Sequence, residues 1–342
     1  MTTGKNGTTS LPVYTAKDFT SDQYVRWCPG CGDYAVLSTI RKVLPKLPFK
    51  KEDHVFVSGI GCAARFPYYM DTYGIHSLHG RGLPVATGIK LANEDLQVFV
   101  VSGDGDLLSI GGNHTLHAMR RNIDMTIILL NNKIYGLTKG QYSPTSELGK
   151  VTVSTPRGSV DAPVHPAAIA VGAGCTFIAR CIDVDGKMLD AVIQRAVEHK
   201  GTAFIEVYQD CNIFNHQAWF YASQKDSRPE TTIDLEHGKP LIFGKDRDKG
   251  IRFNNGSPEV VTLGDGITED DLIVHNEHDR CLAFVYSQMN YPDFPEPLGI
   301  LYSDPNKPSY DSLLSQQAPT GPAKTDADFQ KLLLGNETWE VN

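Results

Sequence analysis

Two short apolar runs, separated by a segment of helix length, constrain the fold of this sequence more than any other feature. Residues 96–101 and 125–130 are rich in β-branched and other apolar residues and are bounded by turn residues, which is typical of buried parallel strands. Residues 110–121 between them are long enough for a crossover helix, so the three segments predict one βαβ unit. Strand and helix patterns alternate from about residue 20 to residue 208. This alternation predicts an α/β fold with a doubly wound, mostly parallel sheet.

Polar residues follow both runs at the point where each predicted strand ends. Gly103-Asp104-Gly105 comes after the first run, and Asn131-Asn132 comes after the second. The carboxyl ends of parallel strands share one edge of the sheet, where open α/β folds bind ligands. A carboxylate and an amide oxygen at that edge predict part of a Mg²⁺ site that phosphate and water would complete. A lone Gly-Asp-Gly is more often a plain turn, so the signal lies in the spacing and the strand contexts.

The size and charge of the chain exclude several classes of protein. It has 342 residues, of which 41% are apolar, and a net charge of −8. The acidic charge argues against nucleic acid as a partner. The apolar runs are far shorter than the roughly 18 residues that cross a membrane, so no membrane span is predicted. Residues 1–20 have no apolar signal core and are predicted to be a flexible tail. Seven irregularly spaced cysteines predict reduced thiols and a cytoplasmic location.

A Cys-Pro-Gly-Cys motif at residues 28–31 is the second strong signal. Two thiols around a Pro-Gly turn can converge on one centre, and zinc, a redox dithiol and an iron–sulfur cluster are open alternatives. Cys62 follows a predicted strand in a Gly-rich turn, and Cys211 follows another β-rich run. With the motif they make a possible set of four ligands for a 4Fe–4S cluster. The other three cysteines lie in apolar sequence and are predicted to be inert core thiols: Cys175, Cys181 and Cys281.

Five motifs occur in a fixed order along residues 24–215: WCPGCG, GIGC, HGRGLPVATG, GDGD and NNKIYGLTKGQ. In this order they resemble the β subunits of 2-oxoacid:ferredoxin oxidoreductases, which are thiamine diphosphate (TPP) enzymes, and most of all the 2-oxoglutarate type. The resemblance implies the diphosphate-binding domain of the TPP-binding fold, with TPP, Mg²⁺ and a 4Fe–4S cluster as cofactors. It also implies oxidative decarboxylation of a 2-oxoacid to its acyl-CoA and CO₂ with transfer of electrons to ferredoxin, or the reverse carboxylation. Pyruvate or a broad set of 2-oxoacids is the alternative substrate.

The resemblance also assigns residues of this chain to each cofactor. The implied cluster ligands are Cys28, Cys31, Cys62 and Cys211. The implied Mg²⁺ ligands are Asp104, Asn132 and the backbone carbonyl of Ile134. The residues expected to contact TPP are Ile60, Gly61, Cys62, Ala63, His79, Gly80, Arg81, Gly82, Gly105, Asp106, Gly136 and Leu137.

Three residues are predicted to act on the substrate. Arg65 lies three residues past Cys62, where a guanidinium could clamp a second carboxylate with two hydrogen bonds and favour 2-oxoglutarate over pyruvate. Leu137 stands in YGLTKGQ, where the pyruvate-specific branch of the family has a pattern like YSNTGGQ, so a different acyl pocket is expected. Lys139 is an alternative partner for the carboxylate. Either cation could instead face solvent or the diphosphate.

The predicted partners depend on what the sequence lacks. TPP enzymes need a second α/β domain that activates the aminopyrimidine, and only residues 21–208 show an α/β pattern. The resemblance therefore implies an α subunit that completes the site, in an α₂β₂ assembly, with coenzyme A and ferredoxin as further partners. Residues 209–342 are predicted to be an irregular C-terminal extension that contacts the partner, or else a small embellishment of the same domain. A short strand or hairpin is predicted within residues 270–286.

Two other functions remain open at the level of the sequence. The first is a TPP enzyme of another type, in which Cys28 and Cys31 bind zinc or are merely structural. The second is a non-catalytic scaffold, in which the Gly-Asp-Gly and Asn-Asn segments are ordinary turns. The presence or absence of an iron–sulfur cluster and of TPP binding would separate these functions from the oxidoreductase.

Overall fold

The computed structural model describes residues 12–317, 325–339 and 341. Its α-helices are α1 Asp33–Val43, α2 Phe66–Tyr69, α3 Gly82–Ala92, α4 Gly112–Arg121, α5 Pro166–Ala173, α6 Gly186–Glu198, α7 Phe220–Ser223, α8 Arg228–Thr231, α9 Arg280–Gln288, α10 Tyr310–Gln317 and α11 Asp326–Leu334. Its strands are β1 His54–Ser58, β2 Tyr73–His76, β3 Gln97–Gly103, β4 Met125–Asn131, β5 Phe177–Ile182, β6 Thr202–Tyr208, β7 Thr232–Leu235, β8 Ile242–Phe243, β9 Lys249–Asn254, β10 Ser257–Thr262 and β11 Glu296–Ser303. A π-helical turn at Gly105–Ile110 precedes α4.

Eight of the described strands form one sheet in the order β2-β1-β3-β4-β6-β5-β11-β7. Neighbouring strands pair in parallel except β5 and β11, which are antiparallel. A smaller antiparallel sheet has the order β10-β9-β8. Strands β1, β4 and β6 are buried along their whole length, as parallel strands are when helices cover both faces. The predicted doubly wound, mostly parallel α/β fold is confirmed.

Helices cover both faces of the main sheet because successive strand side chains point to opposite sides. Helices α3, α4, α5 and α9 pack on the face that carries Val55 and Val57. Helices α1 and α6 pack on the face that carries Phe56. Among the described residues, no helix is long and apolar enough to cross a bilayer.

The direction in which the chain crosses the sheet reverses at β1. From β1 the chain runs outward to the edge strand β2, and it then returns to form β3 on the other side of β1. Loops that leave the carboxyl ends of β1 and β3 therefore diverge, and a crevice opens between them. The predicted βαβ unit is β3, α4 and β4, so the Gly-Asp-Gly and Asn-Asn segments lie at the same edge of the sheet as this crevice.

The chain beyond residue 208 contributes to the main sheet. Strand β11 pairs with β5, and β7 pairs with β11 at the edge of the sheet. The sheet is thus continuous across the domain boundary predicted at residue 208. Contact of residues 209–342 with a partner chain stays a prediction.

The strand predicted within residues 270–286 is wrong, since residues 280–288 form helix α9. The Asp279 carboxylate accepts hydrogen bonds from the backbone N–H groups of Cys281 and Leu282 and so caps the helix. An aspartate directly before an apolar stretch is a helix-start signal. The capping residue therefore favours a helix here, although the segment contains β-forming residues.

The tail predicted over residues 1–20 falls partly outside the described residues, which begin at residue 12. Within the described part, Ala16–Phe19 forms a 3₁₀ turn. Phe19 is fully buried and packs edge-on against Tyr14 and His54. The structure therefore differs from the prediction at residues 14–20, because the aromatic side chain of Phe19 anchors them to the core.

Candidate functional site

The loops that follow β1 to β4 enclose a cleft of about 120 Å³ at the carboxyl edge of the sheet. The cleft brings together most of the residues predicted to contact TPP and Mg²⁺, although they come from distant parts of the sequence. Pockets that enclose a whole ligand measure about 300–1,000 Å³, so this cleft can hold only part of a cofactor as large as TPP. The lining residues are Ile60, Gly61, Cys62, Ala63, His79, Gly103, Asp104, Gly105, Asp106, Asn132, Ile134, Tyr135, Gly136, Leu137 and Thr138.

Asp106 fastens the loops around the cleft to one another. Its Oδ1 accepts hydrogen bonds from the backbone N–H groups of Ile60 (3.0 Å) and Gly80 (2.6 Å), and from Nδ1–H of His79 (2.6 Å). Its Oδ2 accepts the Ser102 hydroxyl at 2.6 Å. The Asp106 carboxylate is 4% exposed and has protein donors on both oxygens. It therefore shapes the wall of the cleft by positioning the loops that line it.

Asp104 is a buried carboxylate whose surroundings supply hydroxyls but no cation. It is 1% exposed, and its Oδ2 accepts hydrogen bonds from the hydroxyls of Ser143 and Thr145. Burial raises the pKa of Asp104 to about 6, against the hydroxyl hydrogen bonds, which lower it. A cation in the cleft would favour the charged form of this carboxyl. Asp104 therefore fits the ligand of a hard cation such as Mg²⁺.

Asn132 and Ile134 begin the loop after β4 and line the same cleft. The Asn132 side chain accepts the backbone N–H of Ile134 on Oδ1 (3.2 Å) and donates from Nδ2 to Oε1 of Gln209 (2.9 Å). These two bonds fix which way the amide points. The amide oxygen of Asn132 and the carbonyl of Ile134 are the oxygen donors that Mg²⁺ prefers. Their role as metal ligands with Asp104 stays a prediction.

Glycines hold this loop close to its neighbours. A Cβ at Gly105 would overlap the ring of Tyr135, whose hydroxyl donates to the Gly105 carbonyl at 3.0 Å. A Cβ at Gly136 would lie 3.4 Å from the sulfur of Cys211 and 3.8 Å from that of Cys62. Gly136, which lines the cleft, therefore also lies next to the sulfurs of two of the predicted cluster ligands.

The four cysteines predicted to bind a cluster come from three segments that hydrogen bonds tie together. The indole N–H of Trp27 donates to the Cys62 carbonyl at 2.7 Å, which joins the first segment to the second. The side-chain amide of Asn212 donates to the Pro29 carbonyl at 2.7 Å, which joins the third to the first. Gly30 has a φ of +85°, so the turn between the two thiols of the motif requires glycine. All four cysteines are free thiols.

Two of the predicted cluster ligands have thiols that burial keeps protonated. Burial, followed by the Asp33 carboxylate, raises the pKa of the Cys31 and Cys62 thiols, that of Cys62 to about 11. A metal that binds them must displace their protons. Zinc holds each thiolate about 2.3 Å away, whereas no three of the described cysteine sulfurs lie within 4.8 Å of one another.

The predicted substrate residues differ in where the structure places them. Leu137 lines the cleft and is 41% exposed. Arg65 does not line it, because the 3₁₀ turn after Cys62 directs its guanidinium to the Arg26 carbonyl, 3.0 Å away. Lys139 is exposed in a tight turn with a φ of +76° and is also outside the lining. The roles of all three in substrate binding stay predictions.

Three of the residues predicted to contact TPP do not line the cleft. Gly80 and Gly82 line a separate small void, which Asp106 also lines. Arg81 lies between them, and its guanidinium donates to the carbonyl oxygens of Gly80 and Ile110. These residues support the loop that presents His79, and any direct contact with the cofactor stays a prediction.

Several residues of the site were not predicted from the sequence. Their shared feature is a polar side chain at the end of a strand, just after one, or in the loop that follows β4. Gln209 is the first residue after β6, so the rule that found Asn132 could have found it. The hydroxyl-rich segment at 143–146 follows the Asn-Asn loop and was a weaker signal. Four such residues are Ser102, Ser143, Thr145 and Gln209.

Two further groups of candidate ligands have no connection with the cleft. Cys175 and Cys181 are buried as predicted, but Cys281 is exposed on α9, so its prediction as a core thiol is wrong. The ligand atoms of His237, Glu277 and His278 lie within 4.8 Å of one another. However, Nδ1 of His237 accepts the Glu277 amide, and the Glu277 carboxylate pairs with a guanidinium. This group is therefore satisfied by protein partners.

Comparison with known proteins agrees with this geometry. Residues 59–207 match the family described as thiamine pyrophosphate enzyme, C-terminal TPP binding domain. The chain is 48% identical over 335 residues to the 2-oxoglutarate oxidoreductase subunit KorB of Mycobacterium tuberculosis, covering 95% of this chain and 88% of the relative. It is 45% identical over 302 residues to a 2-oxoacid:ferredoxin oxidoreductase subunit beta from Sulfolobus sp, covering 87% of this chain and 88% of the relative.

A solved structure extends the likeness to nearly the whole chain. The 2-oxoglutarate:ferredoxin oxidoreductase from Magnetococcus marinus, with 2-oxoglutarate, coenzyme A and succinyl-CoA bound, superposes with a TM-score of 0.76 at 30% identity. The match covers 96% of this chain and 98% of that one. The chain therefore belongs to the 2-oxoacid:ferredoxin oxidoreductase family as a β subunit, and it carries the TPP-binding domain of these enzymes.

Proposed function

We propose that this chain, together with an α subunit, oxidatively decarboxylates 2-oxoglutarate to succinyl-CoA and CO₂ and passes the electrons to ferredoxin, or runs the reverse carboxylation. The observation that carries the proposal is the closeness of two centres. Asp104, Asn132 and Gly136 line one cleft, and a Cβ on Gly136 would lie within 4 Å of the sulfurs of Cys62 and Cys211. An oxidative decarboxylation that releases electrons one at a time needs both kinds of centre side by side.

The chain's own residues suit these cofactors. When bound, TPP supplies carbanion stabilisation for decarboxylation, and a 4Fe–4S cluster accepts single electrons. Asp104, Asn132 and the Ile134 carbonyl would hold Mg²⁺ on the diphosphate, which compensates the buried carboxylate. The loops fastened by Asp106 would form the wall of the cleft around the cofactor. The cluster would be held by Cys28, Cys31, Cys62 and Cys211.

The open shape of the cleft supports an active site shared with the α subunit. At about 120 Å³ it is too small to enclose TPP. Leu78, Ile110 and Leu137, which lie at or beside it, are exposed apolar side chains, and such side chains next to a site favour a protein partner. An α₂β₂ assembly and ferredoxin as electron acceptor are part of the proposal. Reduced cluster ligands also favour a cytoplasmic location.

The choice of 2-oxoglutarate is supported by the names of the relatives and by Leu137. The Mycobacterium relative is a 2-oxoglutarate oxidoreductase subunit, and the solved structure of the Magnetococcus enzyme contains 2-oxoglutarate. In this chain Leu137 lines the cleft from the loop after β4. Arg65 would have to leave the Arg26 carbonyl to contact the second carboxylate of the substrate, and Lys139 is the alternative partner.

The activity is tested with the α–β complex prepared without oxygen. We expect coenzyme A-dependent reduction of ferredoxin to be faster with 2-oxoglutarate than with pyruvate or branched 2-oxoacids. Equal or faster reduction with pyruvate would contradict the substrate. A colourless complex without acid-labile sulfide would contradict the cluster and favour a TPP enzyme of another type.

The assignment of the cluster ligands has a matched control within the chain. We expect Cys62→Ser and Cys211→Ser to lose the visible absorption and the acid-labile sulfide, because each removes one of four ligands. Cys281→Ser removes an exposed thiol on α9 and is expected to leave both unchanged. Retention of a full cluster in Cys211→Ser would remove that residue from the ligand set.

A further inference from the structure

We propose that Gln209 couples the Mg²⁺–TPP half-site to the iron–sulfur cluster, so that filling the first raises the reduction potential of the second. This inference depends on the proposed function, since it needs both centres. Gln209 is 1% exposed and lies directly after β6. It contacts one residue predicted to bind Mg²⁺ and one residue predicted to bind the cluster.

The side chain of Gln209 uses all its polar groups in this bridge. Its Oε1 accepts from Nδ2 of Asn132 at 2.9 Å. Its Nε2 donates to the sulfur of Cys31 at 3.4 Å and to the carbonyl of Asp210 at 2.5 Å. Its backbone N–H donates to the Asn131 carbonyl at 3.0 Å and so continues the pairing of β4 with β6. The amide is therefore held by the sheet as well as by its two neighbours.

The hydrogen bonds that link the two centres all have their donors on the Mg²⁺ side and their acceptors on the cluster side. At one end, the backbone N–H of Ile134 can only donate, and it donates to Oδ1 of Asn132. At the other end, a metal-bound thiolate of Cys31 can only accept. The two amides between them are thus oriented by the ends of the chain, and turning either one would set two acceptors or two donors against each other. Donation runs from Ile134 through Asn132 and Gln209 to Cys31.

This direction couples the two sites. If a cation polarises the carbonyl of the Asn132 amide, its Nδ2–H becomes a stronger donor to Gln209, because hydrogen bonds in a chain polarise one another. Gln209 in turn donates more strongly to the Cys31 sulfur. Hydrogen bonds to the sulfurs stabilise the more negative, reduced cluster and raise its potential. By linkage, reduction of the cluster then favours binding at the Asn132 end by the same factor.

The test is a redox titration of the α–β complex, followed by electron paramagnetic resonance, with and without Mg²⁺ and TPP. In the wild type we expect Mg²⁺ and TPP to raise the potential. The expected size is about a twofold to tenfold change in the oxidised-to-reduced ratio at fixed solution potential, as for one modest hydrogen bond. Gln209→Met keeps the shape and removes the bridge. We expect it to lower the potential and to abolish the change.

Two more variants keep the test decisive. Gln209→Glu keeps an acceptor for Asn132 and removes the donor to sulfur, and serves if Gln209→Met does not retain its cluster. Asn212→Leu removes a hydrogen bond to the same cysteine turn without touching the bridge, so it should keep the wild-type response to Mg²⁺ and TPP. A wild-type response in Gln209→Met or Gln209→Glu overturns the inference. A wild-type cluster that ignores Mg²⁺ and TPP also overturns it, whereas a wild type without any cluster overturns the proposed function instead.

Discussion

The buried carboxylates near this edge of the sheet fall into two groups, one with a cation of the chain beside it and one without. Glu206 and Glu296, each 1% exposed, share the guanidinium of Arg180 at 3.0 and 3.4 Å, and the hydroxyls of Tyr208 and Tyr221 complete the group. Asp104 is buried to the same degree but has only hydroxyl and backbone partners. Buried carboxylates that share a cation of the chain itself are a structural element. A buried carboxylate that the chain leaves uncompensated beside a cleft marks a place for a cation.

A third buried group shows that missing compensation alone does not mark a site. His54 is fully buried, and neither ring nitrogen has a hydrogen-bond partner. It packs among the rings of Phe19, Phe49 and Phe99 and does not line the cleft. Burial lowers the pKa of His54 to about 4, so the side chain stays neutral. Asp104 differs from His54 in two respects together. It is a buried carboxylate with no cation beside it, and it lines a cleft that a cation can enter.

The largest loss of stability is expected when the cation beside two buried carboxylates is removed. Arg180→Met leaves Glu206 and Glu296 buried without a cation, and we expect it to lower the free energy of unfolding by about 3–5 kcal/mol. Urea unfolding of the chain measures this. A triple variant that also carries Glu206→Gln and Glu296→Gln should recover most of the loss. A mild effect of Arg180→Met alone would mean that the network tolerates an unpaired charge, and the contrast with Asp104 would fail.

The next effect is on the pH dependence of stability, and it tests whether Asp104 lacks the cation that the Arg180 network has. Without Mg²⁺, the raised pKa of Asp104 stabilises the folded chain below pH 4, and this contribution is lost as the pH rises through about 6. Relative to the wild type, Asp104→Asn should therefore gain about 2 kcal/mol of stability between pH 4 and pH 7. Denaturant unfolding at both pH values checks this. A variant that is destabilised at pH 7 would show that the carboxylate is already compensated.

His54 gives a pH dependence of opposite sign. Its folded pKa lies below the unfolded value near 6.5, so the unfolded chain binds the extra proton and stability falls as the pH drops. For this group the fall should be about 2 kcal/mol between pH 7 and pH 5. His54→Phe should remove that part of the acid sensitivity, as measured by unfolding of the cluster-free chain. An unchanged pH profile would show that water or another partner reaches the ring.

The smallest effect concerns the residue that joins the two groups. The hydroxyl of Thr145 contacts Oδ2 of Asp104 (2.6 Å) and Oδ1 of Asn131 (2.9 Å), and Asn131 donates to Glu206 (2.8 Å). Thr145→Val removes one hydrogen bond from a buried carboxylate, so we expect a loss of about 1 kcal/mol and a severalfold weaker affinity for Mg²⁺ and TPP. Calorimetric titration of the complex measures the affinity. Thr262→Val, at an exposed position of β10 in the smaller sheet, is the matched control.

How much could be predicted depended on how local each signal is. The strands, the Gly-Asp-Gly and Asn-Asn segments and the cysteine motif have local patterns, and the structure gathers most of the residues that they predicted. Helix α9 also had a local signal in the capping residue Asp279. The prediction of a strand gave more weight to the β-forming residues of the same segment. The pairing of β11 with β5 joins segments more than a hundred residues apart, and no local pattern specifies it.

Some site residues were missed for the same reason, because their contacts join segments that are far apart in the sequence. Ser143 and Thr145 reach Asp104 from a long irregular loop that has no periodicity. Which hydroxyl of such a loop meets a given carboxylate is decided by tertiary packing. The direction of the Arg65 side chain is likewise set by one local turn, and sequence alone could not tell whether it faces the cleft or the Arg26 carbonyl.

The most direct measurement is calorimetric titration of Mg²⁺ and TPP into the α–β complex carrying Asp104→Asn. A second buried carboxylate serves as the control: Asp311→Asn changes a residue at the start of α10 that accepts hydrogen bonds from Ser309 and from the Asp124 amide. If Asp104 is the uncompensated ligand of the cation, Asp104→Asn should lose at least about a hundredfold in affinity, a binding free energy of about 2.7 kcal/mol, while Asp311→Asn binds as the wild type does. Wild-type affinity in Asp104→Asn would contradict the account.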